Sequence, residues 1–567
     1  MDVDDVLREC GGFGRFQLLL LALLSLARLP LPWHFLLHIF LSAVPPHHCR
    51  SPHQPTASNL SRDPRLTPAD PGPCRALPPS PLDPTLNHSS LPCTSGWEYD
   101  TSQFTATIAT EWDLVCDRRS LNQAAGTFFF LGVMLGGPIS GYLSDRVRVT
   151  TLSLPRYGRR RVLLLGCLVT AVFGTIAAVS TGFTMFVISR FLSGLGLTAI
   201  NITTFTLAVE WTDVRHRAQV GAVCSLAWCV GNMSLALMAF LLRDWRWLQL
   251  AASAPCLLFA AACWWVPESA RWLLSVGQTE RARSGLLTCA RLNHTPPPPT
   301  VQELEKVSGA GECAPRPSPL ALVRTRQMCR ITLCSGMVWM GVSLSYYGLS
   351  FSVSGLGLGL YLTHFIYAAV EMPGKLLAFL LLERLGRRWT QAGLLLLTAS
   401  VMGLCCLLTP GEDPALTPNP LIPNPLPGQQ VPLLVLGIVG KGSAEGAFTT
   451  ALFYTTELFP TSLRQSGLGY TSLMGRLAAS ATPLVMLLDE VWVFLPSLIF
   501  ISVTLLAAAM SLLLPETRHV PLPQTVGHVE DRYGRRDGGA EATSVTDIAL
   551  QPLGAGESQT ALSEESE

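Results

Sequence analysis

Long apolar runs dominate the pattern of hydrophobic and polar positions along this chain. Runs of about 20 largely apolar residues, the length that crosses the hydrocarbon core of a bilayer, occur twelve times and predict twelve membrane-spanning helices. A polar stretch divides them into two sets of six, which predicts an all-α membrane protein built from two six-helix bundles. The runs are 16–41, 121–143, 162–181, 183–206, 220–241 and 248–266 in the first set, and 331–350, 355–382, 392–408, 431–453, 467–488 and 492–514 in the second.

The segments around these runs complete the predicted domain organisation. A short N-terminus, 1–15, leads into the N-terminal bundle, 16–266, and a central segment, 267–330, leads into the C-terminal bundle, 331–514. The tail, 515–567, is rich in Gly, Ser and Glu and is predicted to be disordered. The first apolar run has about 25 residues, too many for the core of a signal peptide, so it is predicted to be a retained span.

Composition supports the membrane assignment and removes one class of function. Hydrophobic residues make up 49% of the 567 residues and charged residues 14%, against roughly 25% charged residues in soluble domains. The formal net charge is only +1, so the chain offers no extended basic face that could neutralise a nucleic-acid backbone. A nucleic-acid partner is therefore not expected.

The polar stretch between the first two runs, 42–120, has the features of an extracellular loop. Two Asn-x-Ser motifs, at Asn59 and Asn87, are acceptors for N-glycosylation if this loop is luminal. Four cysteines in the same stretch predict two disulfides, and the sequence leaves their three possible pairings open. They are Cys49, Cys74, Cys93 and Cys116.

Arginines set the predicted orientation in the membrane, because positive residues near the ends of spans favour the cytosolic side. Six arginines lie between the second and third runs, and more lie in the central segment. Both stretches are therefore predicted to be cytosolic. This orientation places both chain termini in the cytosol and the loop 42–120 outside the cell.

The two bundles share a charged turn after their second apolar run. Each turn has an acidic residue followed by arginine and then a Gly-Arg-Arg sequence. The residues are Asp145, Arg146, Gly158, Arg159 and Arg160 in the first bundle and Glu383, Arg384, Gly386, Arg387 and Arg388 in the second. Such a repeat is typical of transporters whose halves rock against each other, although arginines that only set topology would give the same pattern.

In the first bundle ten residues, 147–156, separate the two parts of the charged turn. The second bundle has no such separation. The ten residues are either an insertion that a surface loop tolerates at small entropic cost, or the product of alternative splicing or of an incorrect gene structure.

The turn "GYLSDR…YGRRR" resembles the signature between the second and third helices of the major facilitator superfamily. The stretches "GGFGRFQ", "EWDLVC", "PESARWLL" and "LPETR" are similar to the organic ion transporter family, solute carrier family 22, and in particular to its organic anion transporters. The resemblance implies the major facilitator fold and a carrier rather than an enzyme. It also implies a conformational latch. The latch consists of Asp145, Arg146, Gly158, Arg159 and Arg160 in the first turn and Glu383, Arg384, Gly386, Arg387 and Arg388 in the second.

Five ionisable residues inside the second set of runs are candidates for function, because charged groups in a bilayer are costly. Glu371 and Lys375 are four residues apart, as are Lys441 and Glu445, so each pair is predicted to neutralise itself along its own helix. Arg476 is left without a partner and could offer a carboxylate or phosphate a two-pronged hydrogen-bond fork. The alternative is that Arg476 pairs with Glu371 or Glu445 from another helix and only holds the bundle together.

The family resemblance supports an anion site at these positions. Members that handle anions resemble this chain in having lysine at the place of Lys375 and arginine at the place of Arg476, whereas members that handle cations tend to have aspartate in the later region. Glu445 departs from many anion-handling members. It would suit substrates that also bring a hydrogen-bond donor, such as nucleobase-like rings.

Aromatic side chains could line such a site, because organic anions need apolar and π surface beside the charge. The candidates are Trp228, Trp339, Tyr346, Tyr347, Phe448 and Tyr454. Two polar residues at similar depth, His34 and Asn232, either contact the ligand or form hydrogen bonds between helices.

The sequence therefore predicts a cell-membrane carrier that moves small organic anions by alternating access, through exchange or facilitated diffusion without sodium. Carboxylates and nucleotide- or nucleobase-like molecules are the expected substrates, and no cofactor, metal or catalytic set is expected. Two rivals remain open. One is a carrier of cations or zwitterions that uses Glu371 and Glu445, and the other is a membrane protein that binds ligands without transporting them.

Overall fold

The computed structural model describes most of both predicted bundles. The described residues are 3–50, 74–76, 91–93, 96–145, 158–309, 320–352, 359–408, 430–460, 463–518, 520, 523 and 525–534. The predicted glycosylation sites Asn59 and Asn87 lie outside them, as do Arg146 and the ten residues 147–156. Asp145 ends a helix, but its side chain is also outside the description.

The N-terminal half contains ten of the described helices, α1 to α10. The first predicted span consists of three consecutive helices, and the second of them begins at Pro30, which cannot donate the backbone hydrogen bond that would continue the first. The bounds are α1 (Val3–Glu9), α2 (Arg15–Arg28), α3 (Pro30–Leu36), α4 (His38–Leu41), α5 (Ile108–Glu111), α6 (Arg119–Asp145), α7 (Gly158–Ala178), α8 (Phe183–Glu210), α9 (Arg217–Leu241) and α10 (Trp245–Ala262).

The central segment and the C-terminal half contain the remaining described helices. The central segment contributes α11 (Ala270–Ser275), α12 (Thr279–Asn293), α13 (Val301–Gly309) and α14 (Ala321–Arg324). The C-terminal bundle consists of α15 (Arg326–Phe351), α16 (Leu360–Leu385), α17 (Arg387–Leu408), α18 (Gln430–Leu458), α19 (Arg464–Met486) and α20 (Leu495–Leu513), and α21 (Val526–Gly534) follows it.

Eleven helical segments in the described part are long and apolar enough to cross a membrane, with α2, α3 and α4 counted together as one. They correspond to eleven of the twelve predicted spans. The sixth predicted span also forms a helix, α10, but it is not among the eleven. Its 18 residues include Arg246 and Gln249, which lower its mean hydropathy.

Two small two-stranded antiparallel sheets and two disulfides organise the described parts of the chain between α4 and α6. Strand β1 (His47–Cys49) pairs antiparallel with β4 (Trp97–Tyr99), and β2 (Arg75–Ala76) pairs antiparallel with β3 (Leu91–Pro92). The disulfides join Cys49 to Cys93 and Cys74 to Cys116, which selects one of the three pairings that the sequence left open. His47 lies near Cys74 and Cys116, but a disulfide withholds both thiolates from a metal ion.

The described parts of the charged turns, from Gly158 and from Gly386 onward, have the same architecture in both halves. Gly158 and Gly386 both have positive φ, +71° and +88°. Glu268 accepts the backbone N–H groups of Arg159 and Arg160 at 2.8 and 3.2 Å. These contacts satisfy N–H groups that have no partner inside their own helix.

In the C-terminal half Glu516 takes the place of Glu268. It accepts the backbone N–H groups of Arg387 and Arg388 at 2.8 and 3.0 Å. The arginine side chains repeat as well, since Arg159 bonds to Glu210 at 3.2 Å and Arg387 to Glu457 at 2.9 Å. The repeat predicted from the sequence therefore extends to a shared network of bonds, each within one bundle.

The prediction of a disordered tail from residue 515 onward needs correction. Residues 526–534 form α21, whose Val529 and Tyr533 are buried against the C-terminal bundle. Glu530 accepts the backbone N–H of Gln327 near the start of α15 at 3.0 Å. Helix α21 is stabilised because it buries apolar surface and caps a neighbouring helix. The composition of the tail does not indicate either contact.

Substitution Gly386→Ala should lower the thermal stability of the protein. A Cβ atom here would require a non-glycine residue at φ +88° and would lie 2.8 Å from the Glu516 carboxyl carbon. The expected cost is about 1–3 kcal/mol. The matched control is Gly393→Ala, within helix α17, which begins directly after Gly386; an added Cβ there meets nothing within 4 Å. Thermal unfolding of both purified variants in detergent checks the prediction, and equal melting temperatures would contradict it.

Candidate functional site

Two helices of the C-terminal bundle bring four charged residues together. Helix α16 carries Glu371 and Lys375, and α18 carries Lys441 and Glu445. The ion pairs are crossed between the helices, with Lys375 Nζ 3.2 Å from Glu445 Oε1 and Lys441 Nζ 3.3 Å from Glu371 Oε1. The prediction that each pair neutralises itself along one helix is therefore wrong.

A close approach of α16 and α18 explains the crossed pairing. A Cβ atom on Gly374 would lie 2.6 Å from the Gly442 carbonyl oxygen, nearer than real Cβ atoms come to such atoms. Glycine therefore allows the two backbones to meet between the charged residues. At this distance each lysine reaches the carboxylate of the opposite helix.

Glu371 also forms a polar contact between the two bundles. Its Oε1 accepts hydrogen bonds from Asn232 Nδ2 at 3.0 Å and from the Tyr346 hydroxyl at 2.6 Å. The Asn232 Oδ1 atom lies 3.0 Å from His364 Nε2. Since Asn232 is on α9 of the N-terminal half, the structure favours the helix-to-helix hydrogen bond that the sequence left open for this residue.

The two lysines have further partners. Lys441 donates to Ser350 Oγ at 2.6 Å and lies 3.3 Å from the centre of the Tyr346 ring, a cation–π contact. Lys375 lies 3.4 Å from the Ser225 carbonyl oxygen and 3.3 Å from Cys229 Sγ. Both of these groups are on α9.

Arg476 on α19 bonds to the N-terminal half without meeting a carboxylate. Its Nη1 donates to the Val133 carbonyl oxygen on α6 at 2.6 Å and to Thr198 Oγ1 on α8 at 3.2 Å. Among the described residues no carboxylate lies within 4 Å of its guanidinium. The carboxylates with which it could have paired, Glu371 and Glu445, bond to the lysines instead.

Four of the predicted aromatic residues form one cluster. Phe448 packs on Trp339 and Tyr346, with ring centres 5.3 and 5.9 Å apart. Tyr347 contacts Tyr346 at 5.1 Å and Phe130 of α6 at 5.0 Å. The cluster thus lies beside the crossed ion pairs and reaches the N-terminal bundle.

Three other predicted lining residues have different neighbours. Trp228 packs on Phe35 within the N-terminal bundle, with ring centres 5.5 Å apart. His34 is fully buried, and its Nε2 lies 3.1 Å from the Ala252 carbonyl oxygen. Tyr454 donates to the Pro515 carbonyl oxygen at 2.7 Å, two residues beyond the end of α20.

The residues predicted as a latch anchor their own bundles. Arg160 donates to the Cys263 carbonyl oxygen at 3.0 Å, and the Arg384 carbonyl oxygen accepts from Arg518 at 2.8 Å. Burial raises the pKa of the Glu268 carboxyl above its ordinary value, while backbone N–H groups and the charge of Arg159 oppose the rise.

Sequence reasoning missed several residues with clear roles. Glu268 and Glu516 were overlooked although the motifs "PESAR" and "LPETR" contain them, and comparison of the two halves would have found them. His364 was also overlooked. A single histidine in an apolar run could have marked it as a candidate for a polar contact.

The two bundles also meet at the end that carries the disulfide-linked loop. Arg119 at the start of α6 bonds to Asp489, beyond α19, at 2.6 Å. Tyr361 of α16 stacks on Phe40 of α4 with ring centres 5.7 Å apart, and its hydroxyl donates to the Gln103 carbonyl oxygen at 2.9 Å. Contacts between the halves therefore extend from the charged centre to this end.

Two repeated helical bundles that meet around buried charges define a membrane carrier with the major facilitator fold. The family model for sugar (and other) transporters matches residues 116–525. The inward open structure of the xylose transporter XylE from E. coli has a TM-score of 0.58, is 16% identical and covers 91% of this chain and 99% of its own. This similarity shows the fold alone.

Sequence comparison places the chain more closely. Mouse solute carrier family 22 member 7 is 43% identical over 561 residues, which cover 94% of this chain and 98% of the relative. The human protein of that name is 44% identical over 558 residues, with 94% and 96% covered. Rabbit solute carrier family 22 member 6 is 36% identical over 556 residues, with 94% and 95% covered. The chain therefore belongs to solute carrier family 22, a family of transporters rather than of enzymes.

Substitution Glu371→Gln should destabilise the protein strongly, because it leaves Lys441 buried without a counter-charge. The expected cost is about 3–5 kcal/mol. Glu490→Gln is the matched control, since Glu490 is half exposed and 3.9 Å from Arg119, and such surface pairs contribute about 0–1 kcal/mol. Thermal unfolding in detergent compares them. Equal losses would show that burial of the Lys441–Glu371 pair has no energetic consequence.

Proposed function

We propose that this carrier moves small organic anions across the cell membrane by alternating access, and that Arg476 recognises their negative charge. The observation that carries the proposal is a partly buried arginine between the bundles with no carboxylate within 4 Å in the described part of the chain. Its present partners are a neutral carbonyl and a neutral hydroxyl. A carboxylate or phosphate would supply the counter-charge that Arg476 lacks.

The crossed ion pairs support an anion rather than a cation as substrate. A cation carrier would need a buried carboxylate that is free to meet its substrate. Glu371 and Glu445 are both engaged by lysines at 3.3 and 3.2 Å. The aromatic cluster of Trp339, Tyr346, Tyr347 and Phe448 supplies the apolar surface that an organic anion requires beside its charge.

The transport mode follows from charge as well. Entry of an anion into a negatively charged cell is opposed by about 2.3 kcal/mol per charge per 100 mV. Exchange for an internal anion, without sodium, removes this cost, and facilitated diffusion is the simpler alternative. Both chain termini are proposed to be cytosolic, with Asn59 and Asn87 glycosylated outside. The charged turns are proposed to act as a conformational latch.

Substitution Arg476→Ala should reduce uptake of an aromatic monocarboxylate by at least about tenfold. Radiolabelled salicylate, measured in cells that express equal amounts at the surface, is the probe. The tenfold figure corresponds to loss of one charge-assisted contact of about 1.5–3 kcal/mol. The control is Arg281→Ala, because Arg281 is exposed on α12 and bonds to Gln278 at 3.1 Å.

Equal salicylate uptake by wild type and Arg476→Ala would overturn the role of Arg476. Competition by organic cations but not by organic anions would favour the rival cation carrier. Ligand binding without flux in reconstituted vesicles would favour the rival that does not transport.

A further inference from the structure

The charges at the centre of the C-terminal bundle do not balance. Three cations, Lys375, Lys441 and Arg476, face two carboxylates, Glu371 and Glu445. Each carboxylate takes one lysine at 3.2–3.3 Å, and Arg476 bonds only to neutral groups. One unit of positive charge therefore remains.

Aromatic rings connect the surroundings of Arg476 with the crossed ion pairs. The Tyr347 ring packs on Phe130 of α6 with ring centres 5.0 Å apart, and Val133 on the same helix accepts from Arg476 at 2.6 Å. Tyr346 donates to Glu371 and contacts the ring of Tyr347 at 5.1 Å. A continuous set of contacts therefore joins Arg476, through Tyr347 and Tyr346, to the crossed ion pairs of α16 and α18.

Two arginines inside the N-terminal bundle, Arg28 and Arg190, also bond to neutral groups. Arg28 donates to the Asn201 carbonyl oxygen at 3.0 Å on α8. Arg190 donates to the His34 carbonyl oxygen at 3.2 Å and lies 4.1 Å from the centre of the Phe129 ring. Both bond to groups of their own bundle, and neither changes in the variants considered below.

We propose that this carrier selects organic monoanions over dianions, because Glu445 neutralises the second cation that a dianion would need. The proposal rests on the proposed function, since it specifies the class of anion for the same site. One carboxylate can satisfy Arg476. A second carboxylate would remain unpaired in a dry environment and would face like charges, and both effects oppose binding.

Glu445 rather than Glu371 is the residue that sets this selectivity. Glu371 is held by Asn232 and Tyr346 as well as by Lys441, so its loss disturbs the contact between the bundles. The described contact of Glu445 is the ion pair with Lys375. Removal of its charge therefore frees Lys375 for the second carboxylate of a ligand.

The experiment compares two inhibitors that differ by one charge. Phthalate is a dianion at neutral pH, and monomethyl phthalate has the same ring with one carboxylate esterified. Each is titrated against uptake of radiolabelled salicylate in cells. In wild type, monomethyl phthalate should inhibit at a concentration at least about tenfold lower than phthalate, equivalent to about 1.4 kcal/mol.

Three variants test whether the pairing of Lys375 with Glu445 sets the preference for monoanions. Glu445→Gln should lower the tenfold preference for the monoanion or reverse it. Glu445→Gln combined with Lys375→Arg should do the same with a cation that cannot lose its proton. Glu445→Gln combined with Lys375→Gln removes both charges of the pair and should restore the wild-type preference.

Surface expression, measured by biotinylation, corrects for loss of folding. An unchanged preference in the variant that combines Lys375→Arg with Glu445→Gln would overturn the proposal, as would a preference for phthalate in wild type. Either result could occur while Arg476→Ala still abolishes salicylate uptake. A result against selection of monoanions by Glu445 is thus distinguishable from a result against the proposed function of Arg476.

Discussion

Two ion pairs cross between α16 and α18, and each lysine in the middle of the bundle meets a carboxylate from the other helix. A buried charge without a counter-charge is costly. The crossed pairs satisfy four of the five charges and bind the two helices to each other at Gly374 and Gly442. Arg476 is the fifth charge, and neither carboxylate is left to neutralise it. The central site therefore carries one uncompensated positive charge.

The sequence could identify these residues but not their partners. A charged residue inside an apolar run is recognisable from the sequence alone, and this pattern identifies all five central charges. Pairing depends on which face of α16 meets which face of α18, and both helices are apolar over most of their circumference. The spacing of four residues favoured pairs along one helix. The approach of the backbones at two glycines, which only the fold reveals, made the crossed arrangement available instead.

The architecture was easier to predict from the sequence than the site, because the same arrangement of helices occurs in both halves. Twelve apolar runs and two charged turns predicted two similar bundles, and family membership confirms the major facilitator fold. The carboxylates that complete the turns, Glu268 and Glu516, lie about 110 and 130 residues from the arginines whose backbone they cap, beyond the reach of any local pattern. For the same reason α21 escaped notice, since its stability comes from Val529 and Tyr533 packed on a distant surface.

The groups that would hold a substrate also join the two halves. Arg476 bonds to Val133 and Thr198 of the N-terminal half, and Glu371 bonds to Asn232. Under the proposed function, an anion that takes the N–H groups of Arg476 replaces a bond between the bundles. A ligand shifts a conformational equilibrium only by the difference between its affinities for the two states. The same guanidinium would bind the ligand and form the contact between the bundles. Ligand binding and relative movement of the halves therefore involve the same hydrogen bonds, so a change in one changes the other.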